Sequence, residues 1–166
     1  GEGHFVSPDT VRVNGQSFRF ARAVIATGAR AAVPPIPGLK DTGFLTNETV
    51  FELTTLPKRF VMIGAGPIGC EMAQTFQRLG AHVILLDAAP HILVREDADA
   101  AELLQRAFIR EGIHLVLGAK VLRVERRGEE RVIVVEQQGR TQELACDALL
   151  VGVGRAPITD GLNLEA

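Results

Sequence analysis

Six consecutive residues have the types and the spacing to bind the phosphates of a dinucleotide: Gly64, Ala65, Gly66, Pro67, Ile68 and Gly69. Gly64 permits a tight turn, and Gly66 has no side chain to keep a pyrophosphate away from the backbone. Gly69 lets a following helix pack closely against the preceding strand. The free amides and the positive dipole end of a helix that begins at Pro67 would face the phosphates. This pattern predicts a pyrophosphate-binding turn.

The hexapeptide alone is a weak signal, and its context strengthens it. An apolar segment over 59–63 predicts a strand before it, and the spacing of apolar residues predicts a helix over 67–79 that Gly80 ends. A glycine-rich turn without a ligand is one alternative. A methyltransferase, which also has a glycine-rich first turn followed by an acid, is another. The proline at the helix start and a later β-meander fit a dinucleotide-binding fold better.

Asp87 follows the next apolar segment, 82–86, and lies 18 residues beyond Gly69. An acid at this position accepts hydrogen bonds from the adenosine ribose hydroxyls. A carboxylate at this position repels a 2′-phosphate, so the sequence favours NAD over NADP. Arg95, in the following loop, keeps NADP open as an alternative because an arginine there could pair with a 2′-phosphate. The other interpretation of Arg95 is a solvated charge near a helix start.

The elements around the turn predict the fold class. Apolar strands over 59–63, 82–86 and 113–117 alternate with two helices, the second of which begins near Asp97 and ends at Gly112. This β-α-β-α-β order implies a parallel sheet with right-handed crossovers. We therefore predict an α/β, Rossmann-like, three-layer domain in which an antiparallel β-meander follows the parallel sheet. The predicted meander strands are 121–125, 132–137 and 142–146, and a buried strand returns over 149–151.

The segment before this domain predicts separate structure. Alternating apolar residues flank Asn14-Gly15, which predicts a tight hairpin, and the apolar run 23–26 predicts a short strand. Residues 33–38 are rich in proline, as expected of a stiff connector at a domain boundary, and a short helix is predicted over 46–53. We expect a first segment over 1–42, a dinucleotide-binding domain over 43–153 and a return segment over 154–166.

Composition excludes several classes of function. Lys plus Arg total 18 against 20 Asp plus Glu, a net charge of −2 without a basic stripe, which argues against a nucleic-acid partner. No apolar run approaches the roughly 18 residues of a membrane span and no signal peptide opens the chain, so we expect a cytoplasmic protein without a membrane partner. Cys70 and Cys146 are not spaced as a redox or metal pair, and the four histidines are scattered, so no metal site is predicted.

Three motifs in order resemble those of the flavoprotein pyridine nucleotide–disulfide oxidoreductases. They are Ala-Thr-Gly-Ala at 26–29, Gly-Ala-Gly-Pro-Ile-Gly-Cys-Glu at 64–71 and Gly-Val-Gly-Arg-Ala-Pro at 152–157. The tetrapeptide Val-Arg-Glu-Asp at 94–97 is most similar to the mercuric reductase branch of this family, to which the dihydrolipoamide dehydrogenases also belong. The resemblance covers nearly the whole chain.

The resemblance implies a role for each matching residue. The run from Gly64 to Glu71 would bind the dinucleotide, Asp87 the ribose, Val121 the adenine end and Gly154 the nicotinamide half. Glu71, which by its position alone is only an acid that stabilises a helix start, becomes a candidate catalytic residue beside the nicotinamide and the flavin. Four further residues would lie at the FAD: Thr27, Gly28, Ala29 and Arg155.

The resemblance also implies a homodimeric, FAD-dependent parent enzyme that passes hydride from NAD(P)H to FAD and then to a disulfide, a metal ion or another acceptor. The family's FAD fingerprint, its C-x-x-x-x-C redox pair and its dimerisation domain do not occur in this sequence. We therefore expect a fragment, a NAD(P)-binding domain flanked by strips of the FAD domain, which is catalytically incomplete without the flavin. Two alternatives stay open: a non-catalytic dinucleotide-binding module, and a flavoprotein without the dithiol, such as an NADH oxidase or a transhydrogenase.

Overall fold

The structure is a computed structural model that describes all 166 residues. In chain order its elements are β1 (Gly3–Ser7), β2 (Thr10–Val13), β3 (Gln16–Arg19), β4 (Ala29–Ala31), α1 (Leu39–Thr42), a 3₁₀ turn (Thr49–Glu52), β5 (Arg59–Ile63), α2 (Pro67–Arg78), β6 (His82–Asp87), α3 (Ala98–Arg110), β7 (His114–Leu117), β8 (Ala119–Arg127), β9 (Glu130–Gln137), β10 (Arg140–Cys146), β11 (Ala148–Val151) and β12 (Arg155–Pro157). None of the helices is long and apolar enough to cross a membrane.

The chain divides into two compact units. The terminal unit combines Gly1–Arg30 with Arg155–Ala166, and the central unit is Ala31–Gly154. The proline-rich connector belongs to the central unit because it packs on the meander there: the amide of Val124 donates to the carbonyl of Pro37 at 2.9 Å. The limit between the units thus precedes the connector, whereas the boundary expected from sequence follows residue 42. The assignment of these units to FAD and NAD(P) domains stays a prediction.

In the terminal unit, β1, β2 and β3 form an antiparallel sheet. Asn14 and Gly15 both have positive φ, 49° and 81°, which is the geometry of the tight turn that this dipeptide favours, so the predicted hairpin is confirmed. The predicted strand over 23–26 is wrong. That segment is irregular and Val24 is 91% exposed, because no neighbouring strand completes its ladder of hydrogen bonds.

The central unit contains the predicted parallel sheet, in the order β11-β5-β6-β7. β5 lies in the middle, where Ile63 is in register with Leu86 on one side and with Val151 on the other. Both crossovers, α2 and α3, run where the periodicity places them, within two residues at each end. The predicted helix over 46–53 is only a 3₁₀ turn, since the hydroxyls of Thr46 and Thr49 accept each other's amide hydrogens and compete with helical bonding.

The parallel sheet is covered on both faces, which makes the central unit three layers deep. Along β5, Phe60 and Met62 pack among the residues that meet α2 and α3. Val61 and Ile63 point to the opposite face and pack against the antiparallel meander formed by β8, β9 and β10. Burial on both faces explains why β5 is a continuous apolar run instead of an alternating one. The three-layer α/β prediction is confirmed.

Candidate functional site

Two glycines of the turn between β5 and α2 are required by the protein's own packing. Gly64 has φ 107°, its amide donates to the carbonyl of Leu86 at 2.8 Å, and a Cβ on it would lie 2.5 Å from the carbonyl oxygen of Gly152. A Cβ on Gly69 would overlap the carbonyl oxygen of Gly64. These positions exclude side chains because backbone segments meet there.

Gly66 differs from both because nothing in the chain requires a glycine there. Its φ of −76° and ψ of −175° are open to any residue, and a Cβ on it would meet no atom within 4 Å. It is the N-cap of α2, and Pro67 occupies the first helical position. The missing side chain therefore leaves open space directly over a helix N-terminus, whose first amides have no partner within the helix.

This space belongs to a cleft of about 690 Å³. It opens at the carboxyl ends of the parallel strands, where Ile63, Leu86 and Gly152 line it, and this is where open α/β sheets bind ligands. Its volume falls in the usual range for small-molecule sites. Ala65 and Gly69 lie buried beneath it and do not line it. The candidate residues that line it are Gly64, Gly66, Pro67, Ile68, Asp87, Val121 and Gly154.

Asp87 is fixed by the backbone around it. One carboxylate oxygen accepts the amide hydrogen of Ala65 at 2.6 Å, and the other accepts that of Ala89 at 2.8 Å. A carboxylate offers about four acceptor positions, so about two remain for hydroxyl groups of a ligand. The side chain is half-buried and lines the cleft, which fits a ribose-binding role.

Leu93, in the loop after Asp87, has an unusual backbone conformation. Its φ is 52°, in the left-handed region, which costs a residue with a Cβ roughly 1–2 kcal/mol. The conformation is held by a bond from its amide to the carbonyl of Ala65 at 2.9 Å and by the amide of Glu96, which donates to the Leu93 carbonyl at 2.9 Å. Ala65 is thus bonded through both its N–H and its C=O, which holds the glycine-rich turn in place.

Glu71 does not line the large cleft. It lines a second cavity of about 330 Å³ between α2 and α3, together with Leu104 and Phe108. Pro67, Leu93 and Glu96 line both spaces and form their common wall. The catalytic role that the resemblance implies for Glu71 stays a prediction.

Cys70, beside Glu71, is a buried thiol. It is 3% exposed and its Sγ donates to the Ala65 carbonyl at 3.4 Å. Burial, and next the nearby charges of Asp87 and Glu71, raise its pKa to about 12. A protonated, buried thiol is neither a nucleophile nor a metal ligand.

The four residues expected at FAD come together inside the terminal unit. The hydroxyl of Thr27 donates to the carbonyl of Ile158, whose amide donates to the carbonyl of Gly28 at 3.0 Å. The guanidinium of Arg155 donates to the carbonyl of Ala29 at 2.7 Å. These bonds join two parts of the chain that are distant in sequence. Contact with FAD stays a prediction from the resemblance.

Among the cleft residues that the sequence did not predict are Leu93 and Lys120. Leu93 has no sequence signal, because a left-handed leucine is set by the bonds around it. Lys120 does have a sequence signal, since it directly precedes Val121, which the resemblance assigns to the adenine end. The expected Arg95 also lines the cleft.

The family model described as "Pyridine nucleotide-disulphide oxidoreductase" matches residues 1–166. Among curated proteins, a mercuric reductase of Lysinibacillus sphaericus is 42% identical over 166 residues, which are 100% of this chain and 30% of that protein. A dihydrolipoyl dehydrogenase of Thermus scotoductus is 36% identical over 174 residues, 99% of this chain and 36% of that protein. Among solved structures, the HOCl-induced flavoprotein disulfide reductase RclA from Escherichia coli has a TM-score of 0.82 at 33% identity, covering 99% of this chain and 38% of that one. The chain thus spans about a third of the length of these relatives.

Proposed function

The chain belongs to the pyridine nucleotide-disulphide oxidoreductase family, and from this premise we propose that it binds NAD(P)H for an FAD-dependent oxidoreductase. The observation that carries this proposal is the open space at Gly66. Gly64 and Gly69 have steric reasons to be glycines, whereas Gly66 has none within the chain. A ligand that approaches the backbone at the start of α2 supplies the missing reason.

We assign parts of the dinucleotide to the candidate residues that line the cleft. The pyrophosphate would accept hydrogen bonds from the backbone amides of Gly66 and Ile68, while Pro67, which has no N–H, contributes only its fixed φ. Asp87 would accept hydrogen bonds from the adenosine ribose hydroxyls through the acceptor positions that Ala65 and Ala89 leave free. This acid makes NAD the preferred cofactor. Two further groups would lie at the ends of the ligand, Val121 at the adenine and Gly154 at the nicotinamide half.

The whole parent protein would act as an NAD(P)H-dependent reductase. FAD, bound in part by Thr27, Gly28, Ala29 and Arg155, supplies the hydride-accepting chemistry when present. Glu71, at the start of α2, would lie toward the nicotinamide and the flavin. The chain's own residues hold the dinucleotide and orient it, and the electrons end on a disulfide, a metal ion or another acceptor. A homodimeric parent follows from the family resemblance.

Calorimetric titration tests the binding function directly. We expect NADH to bind this chain at one site, and ADP-ribose, which has the same pyrophosphate and adenosine ribose without nicotinamide, to compete for it. S-adenosylmethionine, which has no pyrophosphate, is the matched control and should give no binding. Absence of NADH binding, or binding of S-adenosylmethionine at the same cleft, would refute the proposal.

The oxidoreductase part requires the full-length parent. NADH added without oxygen should bleach the flavin absorbance of that protein. A parent that binds NADH but holds no flavin would instead support a non-catalytic dinucleotide-binding module. A parent that reduces its flavin without a redox-active cysteine pair would point to an NADH oxidase or a transhydrogenase.

A further inference from the structure

The large cleft lies between two layers of the central unit. One side is formed at the carboxyl ends of the parallel strands, by residues such as Leu86 and Gly152. The other side includes three consecutive residues at the start of β8, Ala119, Lys120 and Val121. β8 pairs only with β9, in a different sheet from the one that carries the glycine-rich turn. Contacts other than strand pairing therefore set the distance between the two sides of the cleft.

The chain passes from one sheet to the other at Gly118, between β7 and β8. Gly118 has φ 64°, a left-handed conformation that allows the sharp change of direction. Its amide donates to the carbonyl of Ala89 at 2.7 Å, which attaches the turn to the loop after β6. A Cβ on Gly118 would meet no atom within 4 Å, so side-chain packing does not confine this turn. A second attachment is needed to fix the start of β8.

Gln137, at the end of β9, supplies the second attachment. It is paired with Ala119 in the strand register, so it lies directly beside the first residue of β8. Its side-chain Nε2 donates to the carbonyl of Leu117 at 2.7 Å, and its Oε1 accepts from the side chain of Gln142 on β10 at 3.4 Å. β7, which ends at Leu117, is the edge strand of the parallel sheet. One half-buried side chain thus connects this edge with the meander.

The type of side chain at position 137 fits this connection. A glutamine amide can donate and accept at the same time, and Gln137 uses both of these groups. Leu117, whose carbonyl it binds, is in register with Asp87 on β6. The bond therefore ties the start of β8 to the same pair of strands that carries Asp87.

We propose that Gln137 is a positioning residue for dinucleotide binding, which holds the start of β8 against the parallel sheet and thereby places Val121 at the adenine. This inference rests on the proposed dinucleotide-binding function. Gln137 does not line the cleft, so it acts through β8 and touches no ligand. Without its bond, the turn at Gly118 keeps only the bond to Ala89. The start of β8 then gains freedom that a bound ligand must remove, which lowers the affinity.

Two substitutions of Gln137 test this role by calorimetric titration with NADH. Gln137→Glu removes the donor with little change of shape, and Gln137→Leu removes both the donor and the acceptor. Each should weaken NADH by about 3–10-fold, the range expected for the loss of one neutral hydrogen bond. In hydrogen exchange of the ligand-free chain, the amides over 118–121 should lose protection in both variants, while those of α2 should not.

Gln77→Leu is the matched control. Gln77 is also half-buried and forms two side-chain bonds, to the carbonyl of Glu111 at 3.0 Å and from the amide of Val83 at 3.1 Å, near the amino end of β6. Its replacement should lower the melting temperature and leave the NADH affinity unchanged. A second readout uses Val121→Ala. Because Gln137 acts through Val121, Gln137→Leu should weaken NADH by less than about twofold in the Val121→Ala background.

The outcomes separate this inference from the proposed function. An unchanged NADH affinity in both Gln137 variants would overturn the positioning role and leave the dinucleotide site intact. An equal loss of affinity in Gln77→Leu, or an undiminished loss in the Val121→Ala background, would do the same. Unchanged exchange over 118–121 would show that the bond of Gln137 does not hold β8. Failure of the unaltered chain to bind NADH would overturn the proposed function and this inference together. Thermal melts confirm that each variant is folded at the temperature of the titration.

Discussion

Replacement of Gly66 by valine tests whether the open space over α2 is a phosphate site. The new side chain would enter the large cleft at the helix N-terminus and occupy the volume that the pyrophosphate needs. It would meet no atom of the chain within 4 Å at its Cβ, and the backbone there has a φ of −76° that valine adopts. The variant should therefore fold normally and fail to bind NADH.

The expected stability change is small because two effects oppose each other. Loss of glycine at an N-cap costs about 1 kcal/mol, since apolar residues are poor caps. Replacing glycine also reduces the conformational entropy of the unfolded chain, which stabilises the folded protein by about 0.4–1 kcal/mol. The net change should stay within about 1 kcal/mol, which is a shift in melting temperature of about 2–4 °C for a chain of this size. The loss of affinity should be at least about 100-fold, or about 2.7 kcal/mol, because the bound phosphates would overlap the side chain.

Gly69→Ala is the matched control, since it changes the same motif with the opposite expected result. Its Cβ would overlap the Gly64 carbonyl oxygen, and backbone cannot move aside as a side chain does. It should lower stability by about 1–3 kcal/mol. Melting temperature by circular dichroism and affinity by calorimetry separate the two effects. A Gly66→Val variant that binds NADH as the unaltered chain does would show that the pyrophosphate lies elsewhere.

Three further predictions follow from other contacts. Asp87→Asn should lower the free energy of unfolding by about 1–3 kcal/mol and weaken the binding of NADH, because the amide side chain leaves one backbone donor without an acceptor. Melting curves measure the stability, and calorimetric titration measures the affinity. Hydrogen bonds from Ser7 and Arg19 lower the pKa of Asp9 to about 2, so its contribution to stability should be complete above about pH 4 and lost as the pH falls toward 2. Between pH 2 and 5, the melting temperature of Asp9→Asn should lack the pH-dependent fall that Asp9 causes in the unaltered chain. The same pH profile in both proteins would contradict this prediction. Burial raises the pKa of the thiols of Cys70 and Cys146 to about 12 and about 11, so both should resist a thiol reagent at about pH 8 until the chain is unfolded; rapid labelling of the native chain would contradict this.

Periodicity and turn chemistry carried most of the fold prediction. The apolar runs of β5 and β6, the stripe of α2 and the Asn14-Gly15 turn each follow from short-range rules, and each element occurs where these rules place it. The position of Asp87 in the cleft was predictable for the same reason, since in a dinucleotide-binding βαβ unit the acid follows the glycine motif at a nearly fixed distance.

Features that depend on distant partners could not be read from the chain. The run 23–26 has the composition of a strand but no neighbouring strand to pair with, which is a property of the assembled sheet. The backbone of Leu93 is held left-handed by bonds to Ala65 and Glu96, and no local sequence rule anticipates it. Lys120 joins the cleft only because β8 starts beside the loop after β6.

The two hydrogen bonds of Ala65 connect three parts of the central unit: Asp87, the glycine-rich turn and the loop that contains Leu93. Its N–H meets Asp87, its C=O meets the amide of Leu93, and Leu93 is part of the partition between the two cavities. The N–H and the C=O of Ala65 lie in adjacent peptide planes, so a displacement of the acid reaches the partition through the φ and ψ of this residue, which is buried. A ligand that holds the acid in one chamber would therefore also constrain the wall of the other, through two hydrogen bonds and the backbone of one buried alanine.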